Sequence, residues 1–352
     1  MQRHLPCSVV LALLSALPTG AALAQDVEAS LEPVRQKFAR TDEVQVRVTL
    51  ANRSNTPQYI LKWYTPVEGI TAPLFEVLRD GQPVRYLGIE AKRPAPGPND
   101  YLRLEPGDSV SSTVELSALY EMNVTGPYTL RYRTAAGGLF ATPGARPVTS
   151  ALASNPVGIW IEGRLPRGAR APAKQAATSA SLEFSKCSNA QQEQLVAAVA
   201  AGRAMTVEGH NYLTAGTAYG ARYGSWFGAL DAGRGATVTR HFAAIRDAFD
   251  TKPVKIDCGC TASYFAYVYP AQPYTIYVCK AFWTAPLTGT DSRGGTLLHE
   301  MSHFDIVAGT DDHVYGQAGA AELARSNPAQ AVMNADSHEY FGENTPVQAL
   351  KN

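Results

Sequence analysis

The sequence predicts two domains: an N-terminal all-β sandwich of the immunoglobulin-like kind, followed by a mainly helical domain with a small β element. Three observations lead to this prediction. The 352 residues are enough for two hydrophobic cores of ordinary size. Apolar and polar side chains alternate with a period of two in much of residues 25–163. Beyond Cys187, apolar residues recur at helical spacing instead.

Residues 1–24 have the parts of a secretory signal peptide. Arg3 is followed by an apolar run from Val9 to Leu17 and then by small residues at positions 22 and 24. The run is far shorter than the roughly 20 apolar residues that span a bilayer, and no later segment is long and apolar enough to do so. We therefore expect secretion, cleavage before Gln25 and no membrane anchor.

Residues 25–163 contain short strand patterns separated by turns. In "EVQVRVTL" the alternate residues from Val44 to Leu50 share one face. The segment "FEVLRDGQPVRYL" predicts a hairpin with Asp80-Gly81 at its turn. The segments "YLRLEPGDSVSSTVEL" and "GPYTLRYRT" show the same pattern of strands and turns. Such spacing is typical of an antiparallel sandwich, and these residues offer no catalytic constellation.

Residues 164–182 are rich in Ala, Pro, Arg and Ser and have almost no apolar periodicity. The composition indicates an exposed linker, where proteolytic cleavage concentrates. Two interpretations remain open. The linker is either a simple tether between domains or a maturation site, in which case residues 25–163 are the prodomain of a zymogen and a partner in cis.

Residues 183–352 form the predicted helical domain. Ser188 or Asn189 can cap a helix at its start, and "TVTRHFAAIRDAFD" predicts a second helix. The aromatic and β-branched segment "YFAYVYPAQPYTIYVC" favours a hairpin. A further helix is expected over residues 328–341, because Asn327 suits its cap and Gly342 its end.

The four cysteines of this domain indicate disulfides. An even number in an exported chain favours pairing over a zinc knot. A bond between Cys258 and Cys260 fits disulfide geometry poorly, so two pairings remain, and both join Cys187 to this CxC sequence. In both pairings Cys279 closes a shorter loop.

The segment "GGTLLHEMSHFDIVAG" predicts a helix that ends at Gly309 and carries the HExxH pattern. His299 and His303 are four residues apart on one helix face, so both imidazoles can reach one ion. Glu300 lies about 100 degrees round the axis, where it can hold a metal-bound water. The pattern is short and occurs by chance, but its helical context strengthens it.

A catalytic zinc needs a third protein ligand and one open position. Asp305 faces elsewhere, about 200 degrees from His303 on the same helix. The remaining candidates are Asp311, Asp312 and His313 after the predicted helix, and Glu322 further on. Spacing alone does not choose among them.

The stretch "HEMSHFDIVAGTDDHVYG" resembles the HExxH followed by GTxDxxYG of the deuterolysin-like zinc peptidases, the aspzincins. This resemblance implies a zincin-like metallopeptidase domain with one Zn²⁺. It implies that Asp312 joins His299 and His303 as a ligand. It also implies that Glu300 is the general acid and base, and that Tyr315 hydrogen-bonds the oxyanion.

Residues from about Cys187 to Asn344 resemble the peptidyl-Lys metalloendopeptidase branch of that family. The segments that carry this resemblance are "DCGCTASYFAYVYP", "VCKAFWTAPLTGTDSRGGTLLHEMSHF" and "AVMNADSHEYF". The resemblance implies disulfides between Cys187 and Cys258 and between Cys260 and Cys279. It also implies that Asp336 and Glu339, three apart on the predicted helix, form the floor of a pocket for the lysine after the scissile bond. A solvated acidic face is the alternative for this pair.

The expected function is hydrolysis of peptide bonds before lysine by a secreted zinc endopeptidase. The chain has 31 basic and 31 acidic residues, so its composition gives no sign of a nucleic-acid partner. We expect lysine-containing proteins or peptides as substrates and a monomeric enzyme. Three alternatives are a deuterolysin-like peptidase of broader specificity, a gluzincin-like aminopeptidase that uses Glu322, and an exported binding protein whose β-sandwich is the working module.

Overall fold

A computed structural model describes residues 26–140, 149–163, 181–215 and 219–348 of the chain. The predicted signal peptide, residues 1–24, lies outside the described residues, as does most of the predicted linker. Among the described residues, no helix has both the length and the apolar character needed to cross a membrane.

The N-terminal region is rich in short strands, as the period-two pattern predicts. In chain order its strands are β1 (Val27–Pro33), β2 (Lys37–Phe38), β3 (Gln45–Asn52), β4 (Gln58–Leu61), β5 (Phe75–Arg79), β6 (Gln82–Pro83), β7 (Glu90–Lys92), β8 (Tyr101–Leu104), β9 (Ser109–Glu115), β10 (Gly126–Gly137), β11 (Thr149–Ala153) and β12 (Val157–Ile161).

Two sheets of this region share one hydrophobic core. The first has the order β1-β3-β9, and the second has the order β2-β12-β10-β5-β6 with β11 also paired to β10. Val46 and Val48 of β3 and Leu130 and Tyr132 of β10 are all buried in this core. The predicted hairpin is β5–β6, and both residues of its turn, Asp80-Gly81, have positive φ.

The C-terminal region is mainly helical. Its elements are β13 (Leu182–Ser185), α1 (Asn189–Thr214), α2 (Gly220–Phe227), α3 (Ala232–Thr251), β14 (Val254–Asp257), β15 (Ala266–Val268), β16 (Thr275–Val278), α4 (Lys280–Thr284), α5 (Arg293–His303), α6 (Gly316–Ser326), α7 (Pro328–Ala331) and α8 (Ala335–Glu343). Ser188 caps α1 by accepting a hydrogen bond from the Gln191 amide. The predicted hairpin is β15–β16.

The central helix of this region is α5, which packs against α1, α3 and α8. Helices α1 and α5 cross so closely that a Cβ atom on Gly202 would lie 2.8 Å from the carbonyl oxygen of Gly294. The structure joins Cys187 to Cys258 and Cys260 to Cys279 at the border of the helices and the small sheet. These elements hold α5 with all but its first residue buried.

Two predicted helix boundaries are wrong. The helix with the HExxH pattern ends at His303 rather than Gly309, because the chain turns back and the Thr310 amide bonds the Ser302 carbonyl. The predicted helix over residues 328–341 is two helices, α7 and α8. Asn334 leaves helical geometry between them, where it forms a bridge with Asp311.

A five-stranded sheet connects the two regions. Its order is β13-β14-β16-β15-β7, so the edge strand β7 comes from the N-terminal region. Strand β7 runs antiparallel to β15 with Lys92 opposite Ala266 and Glu90 opposite Val268. This pairing places β7 directly beside α5.

Candidate active site

Two imidazoles on α5 face each other in the interior. The Nε2 atoms of His299 and His303 lie 3.1 Å apart, and both residues are buried. The Nδ1 atom of His303 lies 2.7 Å from the Thr310 carbonyl oxygen and therefore carries its proton. The Nδ1 atom of His299 lies 3.0 Å from Oδ1 of Asp336 and 3.2 Å from Oε2 of Glu339, and the negative charge of these carboxylates favours a proton on it. As neutral imidazoles with protons on Nδ1, the two rings would present their Nε2 lone pairs to each other, and a cation between them would relieve the repulsion.

Asp312 completes this cluster. Its Oδ1 atom lies 3.1 Å from Nε2 of His299 and 3.6 Å from Nε2 of His303, and it has no hydrogen-bond partner. Ligand atoms around a tetrahedral zinc ion are about 3.3 Å apart, as bond lengths of about 2.0 to 2.1 Å require. The three residues thus fit a zinc ion in separation, in donor type and in having a buried carboxylate oxygen without another partner.

The field at this cluster favours a cation. Burial lowers the pKa of His303, but the Asp312 and Glu90 carboxylates outweigh that effect and raise the pKa to about 9. The negative charge of these carboxylates, which favours an additional proton on His303, would also stabilise a bound metal ion.

The turn that carries Asp312 is held by a buried side chain from the segment before α8. The Oδ1 atom of Asn334 accepts hydrogen bonds from the backbone N–H groups of His313, at 3.0 Å, and Val314, at 3.2 Å. The Asp311 amide donates to the Met333 carbonyl at 2.8 Å. These bonds determine where the chain after α5 places its carboxylate.

Glu300 points into the same interior. Both of its carboxylate oxygens are buried and make no hydrogen bond of ordinary geometry. Burial raises the pKa of Glu300 to about 7, although His299, His303 and the nearby backbone amide of Lys92 lower it. A carboxyl group that titrates near neutrality can both accept and release a proton.

The phenol of Tyr315 lies on the other side of the cluster. Its hydroxyl is 3.0 Å from the carbonyl oxygen of Ala91 and 3.2 Å from Oδ2 of Asp312. Burial and the neighbouring Asp312 carboxylate raise its pKa, so the hydroxyl keeps its proton and can donate it. The geometry therefore aims a hydrogen-bond donor at a peptide carbonyl beside the histidines.

Asp336 and Glu339 form a buried acidic pocket at the start of α8. Both side chains are fully buried, so they are not a solvated face. The ammonium of Lys92 lies 2.5 Å from Oε2 of Glu339 and 3.5 Å from Oδ1 of Asp336. A third carboxylate, Asp291, is 3.3 Å from the same nitrogen. The rings of Phe265 and Tyr340 flank the ammonium at 5.2 and 5.7 Å.

The same two carboxylates also contact His299 and could form a second acidic cation site with it. In the structure that space holds the Lys92 ammonium, an organic cation. The positive charge helps to lower the pKa of Asp336 to about 2, against the larger effect of its burial. The space between these carboxylates therefore accommodates the side chain of Lys92.

The chain is similar to known proteins over most of its length. The aspzincin family model, described as "Lysine-specific metallo-endopeptidase", matches residues 212–343. An "Extracellular protease" of Aeromonas hydrophila is 45% identical over 99% of this chain and 100% of its own length. The chain belongs to the aspzincin family.

As an aspzincin, the protein is a zinc metalloendopeptidase. A "Peptidyl-Lys metalloendopeptidase" of Armillaria mellea is 36% identical to it over 88% of this chain and 89% of the relative. A solved zinc peptidase from Grifola frondosa is 48% identical, covers 46% of this chain and 100% of its own length, and has a TM-score of 0.45.

Other acidic candidates lie outside the histidine cluster of this aspzincin. Asp305 pairs with Arg85 at 3.0 Å, and Glu322 pairs with Arg325 on the exposed side of α6. Asp311 and His313 lie 3.8 Å apart and face each other. The cluster that the described residues bring together contains Asp312 alone among the candidates for third ligand.

The sequence prediction missed Asn334 and Lys92, as well as three residues around the Lys92 ammonium, Asp291, Phe265 and Tyr340. Asn334 gave no signal because it lay inside the single helix predicted over residues 328–341. Lys92 gave no signal because it lies in a three-residue strand of the other region. Its position follows only from the pairing of β7 with β15.

Proposed function

We propose that this aspzincin is a secreted endopeptidase that hydrolyses peptide bonds on the N-terminal side of lysine. The observation that carries the proposal is a buried lysine ammonium held by Glu339 and Asp336 directly behind His299. The signal-like residues 1–24 and the similarity to an extracellular protease support secretion. The names of the peptidyl-Lys relatives agree with the choice of lysine.

One zinc ion per catalytic domain would be held by His299, His303 and Asp312. When bound, it supplies a Lewis acid and a water of lowered pKa. The Thr310 carbonyl and the Asp336 carboxylate hold the two imidazoles in the required orientation through their Nδ1 atoms.

Glu300 is the proposed general acid and base. Its carboxylate takes a proton from the attacking water and then delivers that proton to the leaving amine. Burial raises the pKa of this carboxyl group to about 7, so it can hold or release a proton near neutral pH.

Tyr315 is the proposed donor to the developing oxyanion. Its hydroxyl already contacts a peptide carbonyl oxygen at 3.0 Å. A well-placed donor of this kind stabilises a transition state by about 2.7 to 4 kcal/mol. The contact with Asp312 holds the phenol in place before substrate arrives.

Asp336 and Glu339 are the proposed determinants of specificity. A substrate lysine would extend its stem past Phe265 and Tyr340 and place its ammonium where that of Lys92 lies. A neutral side chain would leave buried carboxylates without a counter-charge, at a cost on the order of 2 to 5 kcal/mol. Lysine is thereby preferred over neutral residues.

The domain assignments are part of the same proposal. Residues 25–163 form an immunoglobulin-like prodomain, residues 164–182 a linker with the maturation site, and residues 183–352 the zinc peptidase domain. The two shared-core sheets of the N-terminal region and the match of the family model within residues 183–352 support this division. The mature enzyme is proposed to act as a monomer.

Mass spectrometry of cleavage products tests the proposal. The processed enzyme is incubated with unfolded proteins of known sequence, and the new N-termini are identified. We expect lysine at these N-termini; an N-terminal residue distribution without lysine enrichment would refute the proposal.

A variant pair tests the pocket. In Asp336→Asn combined with Glu339→Gln, the preference for lysine should fall, because the counter-charges are gone. Glu322→Gln, which changes a carboxylate on α6 away from the pocket, should keep the parental preference. Zinc content is measured in each variant, because Asp336 and Glu339 also contact His299. If the double variant kept the parental preference for lysine, Asp336 and Glu339 would not be the determinants of specificity.

A further inference from the structure

Strand β7 of the N-terminal region lies in the position of a bound peptide. Its three residues, Glu90, Ala91 and Lys92, are all buried. It extends the small sheet of the catalytic region by pairing antiparallel with the edge strand β15. The Phe265 amide donates to the Lys92 carbonyl at 3.1 Å. Addition of a strand to an exposed sheet edge is a general way for a protein to bind an extended peptide.

The register of this pairing brings the Ala91–Lys92 peptide bond to the candidate active site. The Ala91 carbonyl oxygen accepts a hydrogen bond from Tyr315. The Lys92 ammonium contacts Glu339. One segment thus makes both the oxyanion contact and the pocket contact that the proposed function assigns to a substrate.

Residues around β7 fix the segment in this position. The Arg93 guanidinium stacks on the rings of Trp63 at 4.9 Å and Tyr264 at 4.2 Å, so it joins the two regions immediately after Lys92. The Glu90 carboxylate lies 3.0 Å from Nδ1 of His303. The residues on both sides of the Ala91–Lys92 pair, Glu90 and Arg93, are therefore fixed by their own side-chain contacts.

The N-terminal region also contacts the turn that carries the third candidate ligand. The Tyr64 hydroxyl donates to the Asp312 carbonyl oxygen at 2.8 Å. The Trp63 ring packs edge-on against Tyr315, with ring centroids 5.3 Å apart. Tyr315 thus packs within the core of the N-terminal region.

We propose that Glu90–Lys92 is an inhibitory strand: a substrate mimic within the chain that fills the active site, with Lys92 in the lysine pocket and Ala91–Lys92 in the place of the scissile bond. The proposal rests on the proposed function of the site. The chain continues on both sides of the inhibitory strand into strands of the same folded region, β6 before it and β8 after it. Cleavage of the Ala91–Lys92 bond would leave both new chain ends anchored in the N-terminal region. The active site would therefore open only when the whole N-terminal region is removed.

The test compares full-length chains that differ at one lysine. Lys92→Glu adds a fourth carboxylate beside Asp291, Asp336 and Glu339, and Lys37→Glu makes the same charge change at an exposed lysine of the same region. Each intact chain is assayed on an internally quenched peptide with a single lysine, and mass spectrometry confirms that the chain remains uncut. We expect Lys92→Glu to hydrolyse the peptide at least about 100-fold faster than the parent, because buried like charges repel the strand from the pocket. Lys37→Glu should match the parent.

Equal rates for Lys92→Glu and the parent would overturn the inhibitory strand. The processed enzyme, assayed on the same peptide, separates this result from failure of the proposed function. If it cuts before lysine while both full-length chains stay equally slow, only the inhibitory strand is wrong. If it does not cut before lysine, the proposed function itself is wrong.

Hydrogen exchange tests the unaltered chain and does not depend on the folding of a variant. The Phe265 amide is bonded to Lys92 in the full-length chain. We expect this amide to be protected there and to exchange faster in the processed enzyme, where the edge of β15 is free. The same protection in both forms would show that β7 does not cover this edge, and would overturn the proposal.

Discussion

The side-chain oxygen of Asn334 accepts a hydrogen bond of 3.0 Å from the backbone N–H of His313. A second bond, of 3.2 Å, comes from the N–H of Val314. These two amides lie between Asp312 and Tyr315 in the chain. A fully buried side chain outside the HExxH pattern therefore positions both the third candidate ligand and the candidate oxyanion donor.

Asn334→Ala should weaken metal binding and activity together. The substitution leaves two buried amides without an acceptor, at a cost of about 1 to 3 kcal/mol for each. Displacement of the turn should reduce zinc affinity by about 10- to 100-fold, as other residues that orient metal ligands do. The measurements are zinc affinity by chelator competition and kcat/KM on a lysine peptide.

Asn327→Ala is the matched control, because Asn327 caps α7 and does not touch the turn. This variant should lose stability of about 0.5 to 2 kcal/mol and keep its zinc affinity. Parental zinc affinity in Asn334→Ala would exclude the positioning role of that side chain.

Asp312→Ala should lose zinc, whereas Glu322→Ala should keep it. The Asp312 carboxylate faces both Nε2 atoms, while the Glu322 carboxylate pairs with Arg325 on another face. Elemental analysis of the purified proteins after gel filtration gives the zinc content. The reverse result would favour a gluzincin-like site.

Glu300→Gln should retain zinc and lose turnover. The amide has nearly the same shape as the carboxylate but cannot accept the proton of the attacking water, so kcat should fall by about 10²- to 10⁴-fold. Glu193→Gln, an exposed change on α1, serves as control and should leave kcat unchanged. Substantial turnover with bound zinc in Glu300→Gln would require a different general base.

Local sequence patterns predicted those elements whose ends depend on local contacts. The Ser188 cap, the Asp80-Gly81 hairpin and the β15–β16 hairpin all involve residues near one another in the chain. The buried face of β3 likewise followed from alternation, because one face of a sheet must pack on a core.

Local patterns failed where distant contacts determine the backbone. Gly309 has the positive φ expected at a helix end, but α5 stops earlier, because the Ser302 and Thr310 hydroxyls meet at 2.6 Å and the loop folds back on the helix. Asn334 interrupts a helical pattern because its side chain accepts from the His313 and Val314 amides. The Met333 carbonyl and the Ala335 amide on either side of it also bond the Asp311 backbone. Spacing left the third ligand undecided for the same reason, and only the family motif singled out Asp312.

The position of Lys92 could not be predicted from local patterns. Strand β7 has three residues, too few for a recognisable alternation, and its partner β15 belongs to the other region. The acidic pair on α8 indicated a lysine pocket only through the family resemblance. Nothing in the sequence indicated that a lysine of the same chain would fill it.

A buried histidine pair beneath the site predicts how stability depends on pH. Nδ1 of His338 lies 2.9 Å from the Asn334 carbonyl oxygen, and its Nε2 lies 3.0 Å from Nδ1 of His241. The carbonyl requires a proton on Nδ1 of His338, so its Nε2 accepts from His241 and both rings are neutral. Burial lowers the pKa of His338 to about 3 and that of His241 to about 4.

Acid should therefore destabilise the fold through these two residues. In the unfolded chain both histidines gain protons below about pH 6.5. The unfolded state binds more protons than the folded state between that pH and the folded pKa values, so the free energy of unfolding falls as pH decreases from about 6.5 to about 4. Above about pH 6.5 this contribution to stability is fully present.

His241→Asn should make this pH dependence shallower. The asparagine amide can still donate to His338 near the position of Nδ1, but it does not titrate. The dependence of unfolding free energy on pH should fall by up to about 1.4 kcal/mol per pH unit, the value for one proton. Urea unfolding from pH 4.5 to 7.5, with a chelator present so that metal release does not contribute, measures the difference. Parallel curves for the variant and the parent would show that His241 does not cause the acid sensitivity.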